Sequence, residues 1–190
     1  MSFQWSDAAY FWPEGIMALT FIACILTDLV TRGRRHGVTL GVLVLGTAIS
    51  LVVALTKAPT ESHAIFGQMV VVDPFAQFFR VLFLGITLIT AIFSWSSREI
   101  MGRDRENKGE YYALLAALCF GCMVMAESAD LVMLVLSIEL VSLTSYILAG
   151  YARFSLRSSE ASLKYVMWGA VSSGVMLYGA SILFGLTGQT

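Results

Sequence analysis

Residues 131–150 read LVMLVLSIELVSLTSYILAG. Nineteen of the twenty carry no charge, and the exception, Glu139, stands near the middle. An α-helix needs about 20 apolar residues to cross the hydrocarbon of a bilayer. The stretch therefore predicts a membrane span with one carboxyl at its centre. A charge at that depth costs about 2.5–3.5 kcal/mol on insertion scales, so an intramembrane carboxylate is read as functional by default. The plain alternative is a protonated carboxyl that hydrogen-bonds a neighbouring helix.

The rest of the chain supports the membrane reading. Of its 190 residues, 57% are apolar and only 13% are charged, whereas a soluble domain carries about a quarter charged residues. Five further apolar stretches are long enough to span, at about 13–30, 38–56, 74–96, 111–126 and 161–185. The fold expected is an all-α membrane protein of six transmembrane helices. The first ten residues, MSFQWSDAAY, hold no basic cluster, so the first apolar run is read as a retained span and not a cleaved signal. Pro13 and Glu14 suit the first turn of a helix, where no N–H is needed and negative charge meets the positive end of the dipole.

Loop charges orient the spans. Arg32, Arg34 and Arg35 follow the first span, Arg98, Arg103, Arg105 and Lys108 the third, and Arg153 and Arg157 the fifth. The opposite side carries Lys57 alone, with Asp7, Glu61, Asp73, Glu127 and Asp130. Basic loops stay inside, which puts both termini on the outer side. The net charge of −1 gives no reason to expect a nucleic acid partner. Cys119 and Cys122 form a CxxC, but no second pair and no nearby histidine completes a zinc site. They are read, with Cys24, as small apolar residues of helices.

Glu139 has polar neighbours on its own helix. Ser142 at i+3 and Tyr146 at i+7 share its face and can hold water or relay a proton, and Ser137, Thr144 and Ser145 lie on adjacent faces. Burial disfavours the charged carboxyl while a nearby ammonium favours it. A group pushed both ways can change protonation when its partner moves, which is what a proton-loading site requires. Lys164 is the first candidate for that partner. It follows Glu160 at i+4, so it is equally read as half of a helix-surface pair. Glu139 is 11 residues, or about 16 Å, from the inner end of its helix, and Lys164 only about 5 Å into the next, so water or a third group would have to bridge them. Of the other charges, Arg80 is expected to reach outward from about two turns inside the third span. Asp28 is expected to pair with Arg32. Gly169, Ser173, Gly174, Gly179 and Ser181 give the last span small faces for close helix packing.

The motifs IELVSLTSYIL, RSSEASLKY and GAVSSGVMLYGASILFGLTG, within 127–188, resemble the antiporter-like membrane subunits of proton-pumping NADH:quinone oxidoreductase (respiratory complex I), with the closest match to subunit N. FWPEGI at 11–16 resembles the same subunit. The resemblance implies a family fold of about fourteen helices with two inverted five-helix repeats, of which this chain would supply the N-terminal part: a three-helix segment (1–110) and the first part of the first repeat (111–190). It implies proton transfer through Glu139, with Lys164 matching the lysine of the family's EAxLKY motif. A lysine of the following helix, which pairs with the glutamate in such proteins, has no counterpart up to Thr190. Alone, the chain should not pump. The implied function is a membrane-arm subunit of an enzyme that couples electron transfer from NADH, or ferredoxin, to quinone with proton movement. No redox centre is expected in this chain. NAD(H), FMN, iron–sulfur clusters and quinone would belong to partner subunits, and homologous antiporter-like subunits and lipid would surround it. The implied location is the bacterial inner membrane, with the thylakoid membrane as the alternative. Two other readings stay open: a subunit of a sodium/proton antiporter or membrane-bound hydrogenase, and a non-catalytic packing subunit. RSSEASLKY and GAVSSG favour the first reading over the antiporter or hydrogenase.

Overall fold

The computed structural model describes residues 9–31, 36–59, 61–96, 109–152 and 155–188. A 3-10 turn, Ala9–Phe11, leads into α1 (Trp12–Thr31), followed by α2 (His36–Thr56). Two short strands, β1 (His63–Ile65) and β2 (Val70–Val72), come next, and then α3 (Pro74–Ser96), α4 (Gly109–Glu127), α5 (Leu131–Ala149) and α6 (Leu156–Thr187). All six helices are long and apolar enough to cross a membrane, at or close to the positions the hydropathy predicts. The loops that carry Arg32, Arg34, Arg35, Arg98, Arg103, Arg105, Lys108 and Arg153 lie outside the described residues. Arg157 sits exposed on the first turn of α6.

Helices α1 to α4 pack together, α5 packs on α4, and α6 packs on α5. Burial follows that order: 61% of the α4 span is buried and none of the α6 span. In α4 the apolar residues run all round the helix, which is what a helix enclosed by neighbours requires. Tyr112, Ala116 and Met123 of α4 meet Met17 and Cys24 of α1, Leu43 of α2 and Leu84 of α3 in one core. Close approach of α1 and α2 depends on Gly46, where an added Cβ would stand 2.1 Å from Thr20 Oγ1. Ser50 of α2 donates to the Pro13 carbonyl at 2.9 Å, taking up a carbonyl at the start of α1.

The loop after α2 is not simply a polar connector. β1 and β2 pair antiparallel, His63 with Val72 and Ile65 with Val70, around a turn in which Phe66, Gly67 and Gln68 all have positive φ. Three-residue strands are too short to hold alone. Ile65, Val70 and Val72 are buried against Tyr10, Phe11 and Met133, and Ala129 donates its N–H to the Met69 carbonyl at 3.0 Å. The hairpin is therefore fixed by the helices beneath it, and it departs from the purely helical fold expected.

Asp130 caps α5, accepting from the amides of Val132 at 2.7 Å and Met133 at 3.3 Å. Ser155 caps α6 in the same way, accepting from Ser158 N at 3.4 Å, and α6 ends at Gly188 in the left-handed conformation (φ 64°). At 32 residues, α6 is about 48 Å long, well over the hydrocarbon thickness of about 30 Å. It starts about five residues before the span expected at 161–185.

Candidate functional site

Glu139 lies on α5 and is half-buried. Its Oε1 atom is enclosed and accepts no hydrogen bond from any described donor. The helical period places it at an edge. Ile138, Ser142 and Tyr146 turn toward α6 and line a cavity of about 330 Å³ with Tyr165, Trp168 and Ser172, among others. Val132, Leu136, Leu143 and Ile147 form the exposed stripe of α5. By helical angle Glu139 falls between those two faces. It shares a side with Ser142 and Tyr146, but it does not itself line the cavity between α5 and α6.

Tyr146 is the best held of these groups. It is 8% exposed, meets Tyr165 edge to face at 4.7 Å, and lies over Gly169, where an added Cβ would stand 1.8 Å from the phenol oxygen. Ser162 Oγ donates to the Tyr146 carbonyl at 2.9 Å, and Ser145 Oγ donates to Tyr165 Oη at 3.2 Å. The seam thus alternates hydroxyls with aromatic rings. Of the small residues expected to pack α6, Gly169 does so, while Gly174 and Gly179 face open space.

Lys164 is not brought to Glu139. Its ammonium pairs with Glu160 one turn back, and both side chains are largely exposed. Gly150 lies against Ser162, so Lys164 is about level with residue 148. That leaves roughly 13 Å along the axis to Glu139 at 1.5 Å per residue.

The spans hold a second charged cluster, and here the structure corrects two sequence expectations. Arg80 does not reach outward. It is 1% exposed, and its guanidinium stands between Glu14 of α1 and Glu127 of α4. Nε lies 2.6 Å from Glu14 Oε1, and Nη2 lies 2.6 Å from Glu127 Oε1. Gln77 Oε1 accepts from Nη1 at 3.1 Å and the Tyr10 carbonyl from Nη2 at 3.3 Å. Gln77 in turn donates to the Ala54 carbonyl at 2.7 Å, so elements from the 3-10 turn through α4 meet at this point. Glu127, expected in an outer loop, is the last residue of α4 and fully enclosed. Arg80 is held inside because two carboxylates wait there, and a buried charge stays buried only when paired. The sequence did carry a signal. The starts of α1 and α3 and the end of α4 must meet at one end of an up-and-down bundle, and each brings one of these three residues. At the opposite end Asp28 packs against Gly109, while its expected partner Arg32 lies outside the described residues.

Residues 128–190 match the family described as "NADH:quinone oxidoreductase/Mrp antiporter, TM". Similarity to individual proteins runs along nearly the whole chain. It is 40% identical over 185 residues to NADH-quinone oxidoreductase subunit N of Chlorobium chlorochromatii, covering 97% of this chain and 36% of that protein. It is 36% identical to NAD(P)H-quinone oxidoreductase subunit 2 of Gloeobacter violaceus, covering 96% and 35%. Respiratory complex I from Thermus thermophilus contains a chain that superposes with a TM-score of 0.75 at 26% identity, covering 93% of this chain and 37% of that one. The chain spans about a third of the length of the curated relatives it matches.

Proposed function

Because this chain is a homologue of subunit N of NADH-quinone oxidoreductases, a complex I membrane subunit, we propose that it forms part of the proton-translocating membrane arm of such an enzyme. Glu139 is the residue that takes up and releases the proton. Ser142 and Tyr146 hold water beside it, and Lys164 tunes it from a distance through water. The observation that carries this reading is the position of Glu139: one enclosed carboxyl oxygen without a hydrogen-bond donor, at the edge of a cavity lined by hydroxyls and aromatic rings. A carboxylate cannot face lipid at that depth, so a further protein element covers that edge and brings the missing partner. We place the division between an N-terminal segment and the first part of an inverted repeat at 110/111, and the hairpin on the outer side of a bacterial inner membrane, with the thylakoid membrane as the alternative.

Electron transfer from NADH or ferredoxin to quinone, with its FMN and iron–sulfur clusters, takes place in partner subunits. Homologous antiporter-like subunits are neighbours in the membrane. This chain contributes to coupling only. The test uses the intact complex in sealed vesicles, with proton uptake and quinone reduction measured on one preparation. Glu139→Gln keeps size and hydrogen bonding but removes the titrating proton, so protons moved per electron should fall while uncoupled quinone reduction persists. Wild-type stoichiometry in an intact Glu139→Gln complex would reduce Glu139 to a packing residue.

A further inference from the structure

The cluster of Glu14, Arg80 and Glu127 is not used by the Glu139 path, and its charges do not balance. Two carboxylates and one guanidinium sum to −1 when all are ionised, and all three side chains are 1% exposed or less. An uncompensated charge in a dry interior costs several kcal/mol, and one bound proton brings the sum to zero. The geometry shows where that proton fits. Both carboxyl groups reach the same guanidinium nitrogen, Nε, with Glu14 Oε1 at 2.6 Å and Glu127 Oε1 at 3.0 Å, so they stand side by side, and two carboxylates can bond each other only if one is protonated. Both Glu14 Oε2 and Glu127 Oε2 accept nothing from any described donor, which leaves lone pairs free for that proton.

We propose that Glu14 and Glu127 form a carboxyl pair that holds a single shared proton against Arg80 at the hairpin end of the bundle. The ligand of this site is one proton, and Arg80 is its fixed counter-charge. The groups facing it from the elements packed there are Tyr10 of the 3-10 turn and Gln77 of α3. Beyond Tyr10 stands His63 of β1, its ring stacked on that of Tyr10 at 4.2 Å. Asp73 and Asp130 cap α3 and α5 at the same end. A like-charged pair that shares one proton titrates as a unit and not as two independent acids, so the site takes or gives one proton in a single step.

The inference stands apart from the role of Glu139 and is tested separately, on the intact complex at neutral pH. The readout is the infrared C=O stretch of protonated carboxyl groups, compared between variants. Glu14→Gln and Glu127→Gln should each remove the same one-carboxyl band, the double variant should remove no more than either alone, and Glu139→Gln should leave that band in place. Glu14→Asp and Glu127→Asp keep the charge sum and serve if the glutamine variants fail to assemble, in which case each should shift the band. Arg80→Gln removes the cation, and a second carboxyl band should appear. Bands unchanged in all the Glu14 and Glu127 variants would mean that both groups are ionised and would overturn the proposal. Loss of two separate bands in the double variant would do the same, since each group would then hold its own proton.

Discussion

The bundle of α1 to α4 and the arm of α5 and α6 treat buried charge in opposite ways. In the bundle, Arg80 has two acidic partners, a side-chain amide and a backbone carbonyl around it, and three helices and a turn are joined through one guanidinium. In the arm, Glu139 has an enclosed oxygen with no described donor, and Lys164 pairs with Glu160 on an exposed surface of α6. Removing Arg80 would leave two buried carboxyl groups without their counter-charge, whereas removing the Glu139 carboxyl breaks no ion pair among the described residues. The bundle's charges are therefore tied into the packing of its helices, while the arm's charges take no part in holding α5 to α6 among the described residues.

Four substitutions would break or sharpen that contrast, each read as the thermal stability of the assembled, detergent-solubilised protein. Arg80→Ala should have the largest effect, a loss of about 3–5 kcal/mol, because it leaves two buried carboxyl groups without their cation. A loss below about 1 kcal/mol would show that the cluster is not a clamp. Gly169→Val comes second. Its side chain would occupy the space of the Tyr146 phenol, and forcing α5 from α6 should cost about 1–3 kcal/mol. The Tyr146–Tyr165 contact should loosen with it, visible in near-ultraviolet circular dichroism. Glu139→Gln should change stability by less than about 1 kcal/mol, since no ion pair is lost, and a drop as large as that of Arg80→Ala would erase the distinction between the regions. Lys164→Ala should have the smallest effect, about 0.5 kcal/mol or less, as expected for an exposed i,i+4 pair.

Hydropathy alone located the six spans, because each must carry a run of apolar residues as long as the bilayer is thick. It could not locate the Glu14–Arg80–Glu127 cluster. A lone arginine two turns inside a span satisfies the rule for side chains that reach the interface, and only the packing of α1 and α4 beside α3 reveals a better partner within. The hairpin was hidden for a related reason. HAI and VVV are too short to show a period of two, and their pairing is stabilised by Tyr10, Phe11 and Met133, which are distant in sequence. Around Glu139 the face shared with Ser142 and Tyr146 was legible from the 3.6-residue repeat. The turning of Glu139 away from the cavity was not, because it depends on where α6 sits. The separation of Lys164 from Glu139 could be counted from helix rise, and the Glu160 pair could be read from its i+4 spacing.

The stitch between Ala129 and Met69 gives α5 an anchor. Together with the Asp130 cap, it pins the helix at the hairpin end, and at the other end Tyr151 packs edge to face on Tyr111 of α4 at 5.3 Å, so α5 is held at both ends. Glu139 stands nine residues, about 13 Å, from the first of these anchors, between two fixed points. The hairpin thus supplies one of the two anchors of the helix that carries the carboxylate, through the Ala129–Met69 bond and the Val70–Ser128 bridge.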